Sequence, residues 1–389
     1  MKKFGKIKQI ILVTLVGLLL SACNPVNYWR GETVKKLPKL PPIKEKVAVQ
    51  SRWKEKVGHG SNGQYLALTP VIYDGVLYAT DSKGVVEALD VKSGKTKWLN
   101  KLKEPVTGGV GMADDLVLVG TRKGEVIALS QKNGAIVWRT SVDGEILSNP
   151  VANKLSVVVQ TSNNHVLGLD PKTGKQMWMF ESSTPALTLR SVSHPIVTGR
   201  TGIVGQPNGR LVAFDVKTGE RQWEQTLVVG RGRSELQRMV DINGDLAVAN
   251  DILYAAAYQG RIGAFDVTSG RPFWQREMSS NTGVELVGEH ALAVSDTDGI
   301  VWLLDSDTGA TVWKQEALKE RQLTRPTVVG NNLVVSDQQG LVHVLSLEDG
   351  ELVARDKQGK KPIYVPAIGN DKQFFILDSA GKLKAYTVG

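Results

Sequence analysis

The chain has 389 residues but only one cysteine and five histidines, and it lacks the run of roughly 20 apolar residues that a membrane-spanning helix needs. A lone cysteine excludes an intramolecular disulfide framework and any zinc or iron–sulfur site built on several thiolates. The histidines (His59, His165, His194, His290 and His343) are widely spaced and form no HExxH, and no GxSxG occurs. Two near-motifs also fall short. Asp296-Thr-Asp298-Gly299 opens like a calcium loop but has Ile300 where a third ligand belongs, and Gly230-Arg-Gly232 lacks the third glycine of a dinucleotide site. No cofactor, metal or catalytic residue is expected from these patterns.

The excess of base is not where a nucleic-acid surface would need it. Of the formal net charge of +9, residues 1–22 hold +4 and residues 24–52 hold +5, which leaves residues 53–389 neutral. A neutral body has no bulk attraction for phosphate backbones. The high isoelectric point therefore belongs to the way the chain is delivered and tethered.

That delivery is written at the amino terminus. Lys2 to Lys8 precede an apolar run from Ile10 to Leu20, the order of a secretory signal. The run ends in Leu20-Ser21-Ala22-Cys23, which resembles the lipobox of bacterial lipoproteins. The resemblance implies removal of residues 1–22 and lipidation of Cys23, with several acyl chains each contributing about 0.8 kcal/mol per buried methylene. Asn24 is not the aspartate associated with inner-membrane retention, which implies an outer-membrane anchor facing the periplasm. Residues 23–50, with Pro25, Pro38, Pro41 and Pro42 among lysines, are expected to form a flexible basic tether.

The remainder, 51–389, is a repeat. A glycine, an alternating strand, a turn and a tryptophan recur from Gly84 to Trp98, Gly124 to Trp138, Asn164 to Trp178, Gly209 to Trp223, Gly260 to Trp274 and Gly299 to Trp313. A seventh copy starts at Gly340 and has Ala354 at the tryptophan position; an eighth, from Gly381, stops before its last strand. The alternation reads as half-buried strands. The recurrent acid before the turn (Asp90, Asp170, Asp215, Asp266, Asp305) suits capping of turn amides rather than catalysis. Two further strands fit between each tryptophan and the next glycine, so each period of about 40 residues is one four-stranded antiparallel sheet.

Closure follows from the missing strand. The eighth tryptophan-type strand lies upstream, at Ser51 to Val57 around Trp53, where it can pair with the strand around Leu383 and remove an open edge. The fold class expected is all-β, an eight-bladed β-propeller closed by its amino-terminal strand. Each indole should dock between neighbouring blades with its N–H satisfied, and the blade with Ala354 should be a softer seam.

Function should sit where the repeat is interrupted, because loops tolerate insertion. The connections from Trp178 to Gly209 and from Trp223 to Gly260 are the long ones in consecutive blades, and both should open on one face. The first holds Leu187-Thr-Leu189-Arg190; the second runs from Arg231 through Asp241 to Asn243. Two readings stay open: leucines flanked by arginine anchor a protein partner, or Leu187 and Leu189 alternate into the blade and Asp241 caps a turn.

The lipobox, tether, eight repeats and these two loops together resemble the BamB family, lipoproteins of the outer-membrane β-barrel assembly machinery. The resemblance implies a non-enzymatic scaffold in which Leu187, Leu189, Arg190 and Asp241 contact the periplasmic POTRA domains of BamA, beside other components of the complex. It also implies a role in guiding unfolded outer-membrane protein strands by edge pairing. At position 243 this chain has asparagine where the family pattern has a second acid, so the charged part of that contact is weaker here. The repeat also resembles quinoprotein dehydrogenases, but those rely on a vicinal disulfide and on long inserted segments, and this chain has neither. A propeller that binds a periplasmic solute in its central channel remains the other alternative.

Overall fold

The computed structural model describes residues 37–182, 185, 187–190, 193–370 and 372–389. The signal, Cys23 and the tether as far as residue 36 lie outside the described residues. The chain divides into residues 1–39, of which the described part, 37–39, has no regular structure, and residues 40–389.

Within the second unit eight four-stranded antiparallel sheets follow one another. The first blade is Val71–Tyr73, Val76–Thr80, Val85–Asp90 and Thr96–Lys101, in order from the axis outward. Inner strands touch in sequence around the ring, and that of the first blade meets that of the eighth. The eighth sheet takes Val49–Lys56 as its outer strand, paired with Lys382–Val388 in a register that sets Trp53 opposite Ala385. The amino-terminal strand thus closes the ring, as the arithmetic of the repeats requires.

The two middle strands of a blade differ from the expected half-buried alternation. Val76–Thr80 and Val85–Asp90 are buried along almost their whole length, because each sheet is covered on both faces by its neighbours. Only the outer strand alternates, turning its tryptophan inward.

Seven of the eight seams are built around a tryptophan in the same way. The tryptophan stands opposite a small residue of its own blade, as with Trp138 and Ala128 or Trp178 and Gly168, next to a register shift; Trp313, opposite Leu303, is the exception. Its N–H then donates to the carbonyl just past the first turn residue of the following blade, an aspartate or a serine: Trp98 to Gln131 (2.7 Å), Trp138 to Pro171 (3.0 Å), Trp178 to Val216 (2.8 Å). The ring lies on the turn glycine. At Gly174, with φ +71°, a Cβ would come within 2.5 Å of Trp138. That glycine is therefore required twice, by its backbone angle and by the indole above it.

The turn acids serve the turn. Asp90 accepts the amide and the hydroxyl of Ser93 at 2.9 and 2.7 Å, and Asp170, Asp266 and Asp305 repeat this with Thr173, Ser269 and Thr308. The hydroxyl bonds first, then the amides, hold these carboxyls below their ordinary range.

The seventh blade corrects the expectation of a soft seam. Its neighbour has no turn between its two outer strands, since those come from opposite ends of the chain, and so no turn glycine awaits an indole. The space is used differently. Val47 and Val49 pack on the cluster that holds Val353 and Ala354, and Lys46 N–H donates to Val353 O at 2.9 Å. Leu40 and Ile43 cover the neighbouring cluster, and Arg355 donates to Pro41 O at 3.2 Å. The segment expected as solvated tether is, from Leu40 onward, laid against this blade.

Candidate functional site

Because the four strands alternate in direction, the connection between blades and the turn between the second and third strands open on the same face. The two long connections therefore rise side by side, as their lengths predict, and the structure ties them together. The backbone at 241–242 is held from both sides: Tyr258 N–H donates to Asp241 O at 2.9 Å, and Ile242 N–H to Gln206 O at 3.2 Å. From that platform the Asp241 carboxylate accepts the backbone N–H of Leu189.

Asp241 was expected at the partner surface or as a turn cap. It is fully buried, so its carboxylate is a clamp between loops 52 residues apart in sequence. Burial pushes its carboxyl up from 3.8 to about 6, against the Leu189 amide, which favours the charge. Its other oxygen and the Oδ1 of half-buried Asn243 are enclosed and accept no hydrogen bond among the described residues. A raised folded-state pKa means stability present below the unfolded value and lost as pH rises through about 6. The penalty at neutral pH is about 3 kcal/mol. Asp241→Asn keeps an acceptor for Leu189 and removes the charge. Urea unfolding of the two proteins at pH 4 and pH 7.5 should show the variant gaining on the wild type over this interval; parallel curves would contradict the clamp's protonation.

The clamp presents the other residues outward. Leu187 is 42% exposed, and Leu189 is half-buried. Arg190 is exposed and its Nη2 holds both oxygens of Glu145, at 2.7 and 2.9 Å; Arg122 reaches the same carboxylate at 3.4 Å. Thr188, Leu189 and Arg190 with Glu145, Leu147 and Pro207 wall a cavity of about 240 Å³.

Sequence reasoning missed three features here. Glu145, which orients Arg190, comes from a preceding blade. The second loop contains one helical turn, Glu235–Arg238, with a capping box between Ser234 and Gln237; the S-x-x-Q spacing could have found it. This turn and its approach expose Leu236 and Val229, at 61% and 67%. Closer to the axis, His194 Nδ1 lies 2.6 Å from Asp245, Arg325 donates to Asp245 at 2.9 Å and Arg325 also pairs with Glu285. These four side chains belong to four successive blades, and no pattern along the chain connects them. Burial works against the charge of Asp245, but His194 and Arg325 outweigh it and hold its carboxyl well below the ordinary range.

Among the described residues no cluster of His, Cys, Asp and Glu could hold a metal ion, and the calcium-like Asp296 spends its oxygens on the amides of Asp298 and Ile300 and on Trp302 Nε1. The class that these observations define is an eight-bladed propeller whose two clamped loops expose leucine and arginine on one face.

Comparison with known proteins gives that class a family. The profile described as outer membrane protein assembly factor BamB matches residues 82–315. The factor of that name from Pseudomonas aeruginosa is 46% identical over 372 residues, covering 95% of this chain and 98% of the relative. The crystal structure of BamB from Moraxella catarrhalis superposes with a TM-score of 0.80 at 26% identity, covering 87% of this chain and all of that one. A quinohemoprotein alcohol dehydrogenase from Comamonas testosteroni shares the fold alone, at TM-score 0.69 and 13% identity over 87% of this chain and 76% of its own. The chain belongs to the BamB family of outer-membrane protein assembly factors. It is an assembly factor associated with the outer membrane, not an enzyme. Among the described residues no helix is long and apolar enough to cross a membrane.

Proposed function

We propose that this chain is a scaffold lipoprotein, anchored through acylated Cys23 to the periplasmic face of the outer membrane, that docks the POTRA domains of BamA on its two-loop lip. Leu187 and Leu189 supply the apolar contact and Arg190 the charge. Asp241 positions all three through the Leu189 amide, and Asn243 makes the neighbouring contact polar but uncharged. The observation that carries this reading is the clamp: a buried carboxylate spans 52 residues of sequence to fix a loop whose next apolar side chain is exposed. Preorganising a loop in this way lowers the ordering cost of binding.

The lipid anchor tethers the propeller to the membrane through the basic segment that follows Cys23. A second contact, with unfolded outer-membrane protein strands, is supported by the free edges of the outermost strands and by the exposed Met177, Met179 and Phe273 on them.

Replacing Leu187 and Arg190 together by alanine should weaken binding to a BamA POTRA fragment at least about tenfold, the scale of a central anchor. Calorimetry on purified proteins with matched melting temperatures measures it. Undiminished affinity in a folded double variant would remove the lip from the docking surface.

A further inference from the structure

The same face carries a second concavity that docking does not use. Over blades five to eight, at the mouth of the central channel, lies a cavity of about 450 Å³, within the roughly 300–1,000 Å³ range of small-molecule sites. Its walls are loops that lead into the inner strands or join the middle ones. Tyr65 and Tyr364 form an edge-to-face pair with centroids 5.0 Å apart, and Tyr65 is half exposed. Around them stand Tyr258, Asn281, Gln322 and Gln338.

We propose that this cavity binds a neutral saccharide. Three observations carry the inference. None of these six side chains makes a hydrogen bond to another described residue, so three phenols and three amides face the cavity with their full capacity unspent. Each carboxamide offers donors and an acceptor together, which is what adjacent sugar hydroxyls require. The one charged residue of the lining is Asp296, and both of its oxygens are already engaged, by the amides of Asp298 and Ile300 and by the Trp302 indole at 2.8 to 3.0 Å. No cation lines the cavity to recognise a phosphate or a carboxylate, and the one carboxylate already has its oxygens committed to these N–H donors. The paired tyrosine rings supply the flat apolar surface on which the C–H face of a pyranose ring can rest.

An extended peptide fits less well. It would need an unpaired strand edge for its backbone, and the wall here is made of loop side chains. The inference does not rest on the docking lip: the two adjoin at Tyr258, whose backbone N–H supports Asp241, but no side chain proposed for docking lines the cavity.

Isothermal titration of the full propeller with N-acetylglucosamine oligomers, with maltopentaose and with a capped neutral peptide of similar size tests it. At least one saccharide series should bind with a dissociation constant at or below about 1 mM. Tyr364→Ala and Gln338→Ala, each checked for an unchanged melting temperature, should weaken that binding at least about tenfold. Should Tyr364→Ala disturb folding, Tyr364→Phe, which keeps the ring and loses the hydroxyl, gives a smaller loss in the same direction. Absence of saccharide binding at ten times that concentration, binding by the peptide alone, or saccharide binding that both alanine variants leave unchanged would overturn the proposal.

Discussion

Trp138→Ala should lower the unfolding free energy by about 3–5 kcal/mol, the cost of emptying an aromatic site in a core that cannot collapse around the loss. The indole is 8% exposed and belongs to one buried cluster with Leu118, Val126, Ala128, Ile146, Val157 and Leu169 from two adjacent blades. Removing it leaves Pro171 O without its donor at 3.0 Å and uncovers Gly174, on which the ring rests. Neither blade can move in to fill the space, because both are fixed by a closed ring. The opposite exchange is the informative control. Ala354→Trp restores the repeat pattern in sequence, yet Val47 and Val49 pack on the cluster that holds Ala354, so it should destabilise by about 1–3 kcal/mol through overpacking. Guanidinium unfolding of both variants measures the pair. A neutral or stabilising Ala354→Trp would mean that the amino-terminal segment does not fill the seam.

The second large effect belongs to the cluster near the axis. Arg325→Met should cost about 3–5 kcal/mol at neutral pH, because it leaves Asp245 and Glu285 in a partly enclosed site with only His194 to compensate. The pH dependence follows from Asp245. Its folded-state pKa is depressed, so its contribution is present above the unfolded value and is lost as pH falls toward the folded one. Without Arg325 that depression is reduced. The deficit should be largest at neutral pH and should narrow below about pH 4, where the carboxyls protonate in the unfolded chain and in the variant. Melting temperatures recorded across this interval show whether it narrows; a deficit independent of pH would point to lost packing of the arginine stem instead.

The architecture was legible in the sequence because propeller physics is local and repeated. A turn residue, usually an acid, a turn glycine and a tryptophan recur at fixed spacing in most blades, and counting the copies indicated both the number of blades and the strand that closes the ring. What escaped depends on which parts of distant blades touch. Nothing near Ala354 announces Val47, some three hundred residues earlier, and nothing near Arg190 announces Glu145. Asp241 was singled out as a candidate, but its burial and its grip on Leu189 could not be read from spacing, since both follow from how two insertions lean on each other. The cluster of His194, Asp245, Glu285 and Arg325 is hidden for the same reason, with one member contributed by each of four blades.

A photoreactive residue in place of Leu187, activated in intact cell envelopes, reports directly on the docking surface, with the same probe at Phe273 on an outer strand as reference. The account predicts a covalent adduct with BamA from position 187 that is lost or strongly reduced when Arg190 is also changed to alanine. An adduct with BamA from position 273 and none from 187 would contradict it.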